Sequence, residues 1–192
     1  MANEGKSRSL DSGSGIEILG LSEQDKKQLF EWNSTPIEEV DRCIHDVIHD
    51  QIISKPAAEA IVFENERFSY EELDQLSSRL SAYLMDLGIG IGTFVPLCFD
   101  HSASYVIAML ATLKSGAAFV PLDFATPITR LQALVESIGA TILLCSPQHL
   151  HSLSSVASTI VPVDSKMMIQ LSHMTHPQDI PSVTGANQAY LI

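Results

Sequence analysis

The residues best equipped for chemistry lie in the run HDVIH, where His45 and His49 stand four positions apart. On a helix that spacing puts two imidazoles on one face, as the zinc motif H-E-x-x-H does, with a Glu beside the first His as general base. Here Asp46 takes that place and is one methylene shorter. Ile44, Val47, Ile48 and Ile52 form an apolar stripe at helical spacing with both histidines on its border, so the run reads as structural and no metal is expected in it. His149 with His151, and His173 with His176, lack a third ligand and a framework. Cys43, Cys98 and Cys145 are odd in number, far apart and flanked by apolar residues, the pattern of buried reduced thiols in a cytoplasmic protein.

Two further stretches invite a phosphate. The run GIGIG, Gly88 to Gly92, resembles a dinucleotide fingerprint, but that fingerprint needs its glycines between a strand and the helix whose N-terminus holds the pyrophosphate. These glycines follow a helical pattern and precede a strand pattern, which makes them a tight helix-to-strand turn. Lys114-Ser115-Gly116 ends an apolar helical pattern, and a helix C-terminus repels anions. No G-x-x-x-x-G-K-[ST] and no G-x-S-x-G occurs. Motif chemistry therefore assigns no catalytic, cofactor-binding or metal-binding residue to this chain.

The balance of charge narrows the partners. A formal net charge of -12 over 192 residues disfavours a nucleic-acid backbone, whose binding requires clustered Lys and Arg. No apolar run reaches the roughly 18 residues of a membrane span, and the start MANEGKSRSLDSGSG carries no apolar signal core. No nucleic acid, no membrane and a cytoplasmic setting are the expectations.

The elements that would position any site follow from spacing. Residues 1–20, rich in Ser, Gly and charge, read as a disordered tail or linker. Ser22 with Asp25 opens a first helix, and DRCIHDVIHDQII makes a second. EAIVFENERFSY gives two short strands, the first from Ala60 to Phe63. Ser69 and Glu72 form a capping box for a long helix with Leu73, Leu76, Leu80, Tyr83, Leu84 and Leu87 on one stripe, closed by Gly88. Thr93 to Phe99 is a buried strand, which Pro96 places at an edge or bulge. Ser102 caps a helix into Lys114, and Ala117 to Val120 is a strand ended by Pro121. Thr126 is the expected N-cap, with Pro127 in the first turn, of a helix through Arg130, Leu131, Leu134, Val135 and Ile138. Thr141 to Ser146 and Ser158 to Asp164 are strands with a helix expected between them, and Lys166 to Ala186 reads as a surface loop. From Ser69 onward helix and strand alternate, which predicts an α/β fold with a mostly parallel sheet flanked by helices.

Two of these stretches carry a resemblance. FSYEELDQLSSRLSAYL, Phe68 to Leu84, and LKSGAAFVPLDFATPITRL, Leu113 to Leu131, resemble the first two core motifs of the adenylation domains of nonribosomal peptide synthetases, patterns of the type [LF]-[TS]-Y-x-E-L and L-K-A-G-x-A-Y-V-P-L-D. FEWNSTP and CIHDVIHDQIISKPAAEAIVF look like the entry into such a domain from a preceding condensation domain. FDHSASYVIAMLATLKSG looks like the helix before the second motif, in a fungal style. The resemblance covers roughly Leu21 to Ile192. Ser115 stands where Ala is usual, and Phe124 where proline usually follows the aspartate and stiffens the turn.

The resemblance implies the N-terminal portion of the adenylate-forming enzyme fold, with residues 21–42 as the condensation–adenylation junction and 43–192 as the start of the adenylation, or AMP-binding, domain. In that family a strand like NQAYLI, Asn187 to Ile192, runs into a Ser/Thr/Gly loop with a Lys that holds the ATP phosphates. The chain is expected to stop short of that loop, and so to hold no cofactor and to be inactive alone. The parent family uses ATP and Mg²⁺, with phosphopantetheine on a downstream carrier domain, to convert an amino acid into its adenylate. Expected partners are the remainder of the adenylation domain and neighbouring condensation and carrier domains. Two other readings stay open: a truncated non-catalytic binding or relic protein, and a fragment of an acyl-CoA ligase, which the condensation-like entry disfavours.

Overall fold

A computed structural model describes residues 22–34, 41–171 and 182–192. The chain divides into two units, residues 1–40 and 41–192. In the first, helix α1 (Glu23–Asn33) starts where expected: Ser22 Oγ accepts from the Asp25 N–H and the Asp25 carboxylate accepts from the Ser22 N–H, a reciprocal capping box. None of its residues is buried, and Phe30 and Trp32 are exposed.

The second unit begins with helix α2 (Ile44–Ser54) and a hairpin of β1 (Glu59–Phe63) and β2 (Glu66–Ser69), antiparallel to each other. Helix α3 (Tyr70–Asp86) follows at once, because Ser69 Oγ accepts from the Glu72 N–H at 3.2 Å and Glu72 accepts from the Ser69 N–H at 2.8 Å. Then come β3 (Phe94–Cys98), α4 (Ala103–Lys114), β4 (Ala118–Pro121), α5 (Ile128–Ser137), β5 (Ile142–Cys145), β6 (Thr159–Pro162) and α6 (Ser165–Gln170). The last four strands form one sheet in the order β4-β3-β5-β6, and every neighbouring pair is parallel. This is the fold class that the alternation predicts.

Strand side chains alternate between faces, and the two cores follow that period. Val95, Leu97, Ile142 and Leu144 pack with Leu80 and Leu84 of α3, Ile107 and Ala111 of α4, and Met168 of α6. Cys98, Leu143 and Cys145 turn to the opposite face, against Leu131 and Val135 of α5, Leu153 and Val156. Leu144 lies in an interior strand and is wholly buried. Truncating it to Ala would cost about 2–5 kcal/mol through lost transfer energy and the cavity left behind.

Five local expectations are corrected. Strand β3 is interior, not an edge, although it holds Pro96. Thr93 O and Leu97 O accept from β4-side donors while Cys98 O accepts from Ser146 on the β5 side. Pro96 shares the parity of Cys98, so its missing N–H falls on the β5 side, where the ladder begins only at Leu97. The N-cap of α5 is Pro127, with no side-chain cap bond; Thr126 instead closes a turn in which Asp123 accepts from Ala125 N–H and Thr126 N–H. Between β5 and β6 lie a 3₁₀ turn (Pro147–His149) and further turns, not an α-helix. The stretch from Lys166 is not all loop: Asp164 caps α6 through the Met167 N–H, and Met168 and Leu171 are buried. On α2 the apolar stripe is only half used, since Ile52 is buried while Ile44 and Val47 are exposed. His173 and His176 lie outside the described residues.

Candidate functional site at the carboxyl ends of the parallel strands

After β3 the chain moves to one side for β4 and then crosses to the other side of β3 for β5. The reversal makes a switch point between β3 and β5, and open parallel sheets bind ligands in the crevice outside the carboxyl ends of such strands. The residues there come from three strand ends. Asp100 follows β3, Asp123 and Phe124 follow β4, and Ser146 to His149 follow β5.

These residues close on one another. The Asp100 N–H donates to Ser146 Oγ at 3.1 Å, and the Ser146 N–H donates to Cys98 O at 3.2 Å. The Asp100 carboxylate accepts from Gln148 Nε2 and pairs with His149 Nε2 at 2.9 Å. Phe124 stacks on the His149 ring with centroids 4.3 Å apart and planes at 20°. The residue that stands in place of the usual proline thus packs the histidine against the aspartate. The hydrogen bond from His149, with help from Gln148, holds the Asp100 carboxyl below the ordinary carboxylate range. Beneath, burial pushes the Cys98 thiol up to about 11 and the Cys145 thiol up to about 12, so neither is a nucleophile at neutral pH.

A further segment lies along the outer side of β4. Phe119 N–H donates to Ala189 O and Leu191 N–H donates to Phe119 O, both at 3.1 Å, so residues 189–191 run parallel to β4 along its outer side. The Phe119 and Tyr190 rings stack at 5.8 Å. The pairing is a single bridge, Phe119 with Tyr190, and not a strand over the whole of Asn187 to Ile192.

The other candidates fall elsewhere. GIGIG is a turn between α3 and β3, with Gly88 and Gly92 at φ 85° and 83° and Thr93 Oγ1 bonded to both N–H and C=O of Gly90. Lys114 is committed to Asp74 at 2.7 Å, and Gly116 completes the helix end at φ 83°. His149 and His151 do not act together, because His149 pairs with Asp100 while His151 lines a shallow cleft of about 460 Å³ with Gln148, Ser154 and Ile160. His45 and His49 are also separated in role: His45 is mostly buried, His49 exposed. His45 instead meets Cys43 and Asp46, one donor atom from each lying within 4.8 Å of the others, a grouping that sequence reading missed by pairing the histidines. Asp100 with His149 was missed too, since 49 residues separate them. Their common signal is a polar residue in the loop that follows a strand, Asp100 after β3 and His149 after β5.

Comparison with known proteins fits this architecture. Residues 48–189 match the family "AMP-binding enzyme". Nonribosomal peptide synthetase 4 of Gibberella zeae is 42% identical over 89% of the chain, and nonribosomal peptide synthetase TES of Alternaria alternata is 39% identical over 95% of it. The chain spans only 2% and 4% of those proteins' lengths. Among solved structures, the nonribosomal peptide synthetase FmoA3 in its α-methyl-L-serine-AMP-bound form superposes with a TM-score of 0.76 at 25% identity, over 89% of this chain and 19% of that one. On a family match that runs through both cores and up to the segment beside β4, the chain belongs to the AMP-binding enzyme family.

Proposed function

We propose that this chain is the N-terminal part of an adenylation domain that activates an amino acid within a nonribosomal peptide synthetase. The observation that carries it is the family match over residues 48–189, which takes in the whole parallel sheet and the helices on both its faces. Identities of 39% to 42% with fungal synthetases, and a fold shared with an enzyme solved with an aminoacyl-AMP, support the reading. In the parent reaction the amino-acid carboxylate attacks the α-phosphorus of ATP and pyrophosphate leaves.

The edge residues of this chain do not fit the nucleotide themselves. Asp100 and Asp123 are anionic, Gln148 and His149 are spent on Asp100, and Phe124 covers the histidine. A triphosphate needs donors and cations there, so no catalytic step is assigned to these residues. Their work is to fix the sheet edge as a rigid base. ATP, Mg²⁺ and the phosphopantetheine of a carrier domain would be engaged by other parts of a synthetase. No described helix is long and apolar enough to cross a membrane. Its three free buried cysteines suit a cytoplasmic setting.

The test is ATP–pyrophosphate exchange. The chain alone should show none with any of the twenty amino acids. Joined in frame to the remainder of the adenylation domain of the Gibberella relative, it should support amino-acid-dependent exchange, with that relative's own intact domain as the positive control. Exchange by the chain alone, or a folded but silent hybrid beside an active control, would overturn the proposal.

A further inference from the structure

The cluster at the start of α2 has no part in the adenylation reading. We propose that Cys43, His45 and Asp46 form a binding site for a divalent metal ion of the zinc class. A thiol sulfur, an imidazole nitrogen and a carboxylate oxygen all lie within 4.8 Å of one another, and His45 Nε2 stands 3.8 Å from Asp46 Oδ1. Donors sharing one tetrahedral zinc are about 3.3–3.6 Å apart, given bonds of about 2.0–2.3 Å. Small rotamer changes close that difference. The mixed sulfur, nitrogen and oxygen set selects zinc over the hard cations magnesium and calcium.

The surroundings are built for a fourth ligand. A cavity of about 150 Å³, lined by Cys43 and His45 together with Thr184, Asn187 and Gln188 among others, adjoins two of the three donors and offers a water-sized position. Cys43 occupies the N-cap of α2, yet its side chain makes no capping bond, so the sulfur is not used to finish the helix. Arg42 donates to Asp50 at 2.6 Å and to the main-chain oxygen of Asp46, leaving the Asp46 carboxylate for the cluster. Gly185, which also lines the cavity, comes close to Asp41: a Cβ there would stand 2.7 Å from Asp41 Oδ1.

Protonation states agree with the geometry. Burial pushes His45 below its ordinary value, which keeps the imidazole neutral and able to ligate at neutral pH. Burial, then Asp46 and Asp41, holds Cys43 as the thiol. Metal binding must therefore break the S–H bond, form a metal–sulfur bond and release one proton to the buffer, so affinity rises with pH.

Cobalt(II) tests this on the full chain after chelator treatment. One equivalent should bind with a thiolate-to-cobalt charge-transfer band, displaced by zinc. Cys43→Ser should abolish the band, and His45→Gln and Asp46→Asn should each weaken binding by about tenfold or more. His49→Gln should leave it unchanged. Absence of the band, its survival in Cys43→Ser, or an equal loss in His49→Gln would overturn the site. Circular dichroism checks that each variant folds. If Cys43→Ser does not, the half-exposed Asp46→Asn decides, and full affinity there counts against the proposal.

Discussion

Lys114 Nζ lies 2.7 Å from Asp74 Oδ1 and binds the hydroxyls of Ser77 and Ser78 at 2.8 and 2.9 Å, tying the last turn of α4 to α3. Its side chain is 15% exposed, and burial pushes its pKa down against the opposing pull of Asp74. Removing the aspartate strands a desolvated ammonium. Asp74→Ala should therefore destabilise by about 2–4 kcal/mol, and Lys114→Met by less, because methionine fills the same channel and the aspartate left behind reaches water more easily. Urea unfolding of both variants measures this; a negligible loss in Asp74→Ala would remove the ion pair from the account of the fold.

The bond from His149 lowers the folded-state pKa of Asp100 below its unfolded value. In the window between the two values the unfolded chain binds more protons. Stability from this pair is then fully present above the unfolded value and is lost as pH falls through the folded one. Unfolding midpoints followed from about pH 5 to about pH 2 should fall less steeply in Asp100→Asn than in the parent chain. Parallel acid profiles would show that the contact carries no linkage.

Two caps that look alike in sequence should behave differently. Ser69→Ala deletes an acceptor for the Glu72 N–H and should cost about 1 kcal/mol. Thr126→Ala removes a side chain that caps nothing in α5, and the change should stay within about 0.5 kcal/mol. Equal losses in denaturant titrations would mean that Thr126 supports the turn in a way its hydrogen bonds do not reveal.

The contrast shows where the sequence is legible. Ser22, Ser69 and Ser102 each state a helix start through local chemistry, and the buried runs of β3 to β6 state strands, so the α/β alternation and the helix ends at Gly88 and Gly116 can be read directly. Pro96 misleads because whether its missing N–H matters depends on the register of a strand almost 50 residues later. The carboxyl-edge cluster is hidden for the same reason: Asp100, Phe124 and His149 meet only once strand order is known. Cys43, His45 and Asp46 are neighbours in sequence, but comparison with a two-histidine motif draws the eye to His49 instead.

Cys98 and Cys145 sit opposite each other on β3 and β5, both wholly buried. Desolvation raises their thiols to about 11 and about 12, so hardly any thiolate exists at neutral pH. A thiol reagent should leave both unmodified in the native protein and modify both in denaturant. Rapid native labelling of either, located by peptide mass, would mean that the β3–β5 seam opens.

The segment beside β4 turns one side away from the sheet. Ala189 O and Leu191 N–H face Phe119, so by the alternation of strand groups the N–H and C=O of Tyr190 point the other way. Beside that row Tyr190, Leu191 and Ile192 expose apolar surface, Ile192 almost completely. Among the described residues nothing bonds to that row, and an open hydrogen-bonding edge next to apolar side chains is a template for a second strand. The chain should therefore self-associate at micromolar concentration, and Leu191→Lys with Ile192→Lys should shift it toward monomer by placing like charges on the edge. Sedimentation equilibrium decides. A monomer across the concentration range would mean that this edge is protected, and an association indifferent to the two lysines would move the contact to another surface.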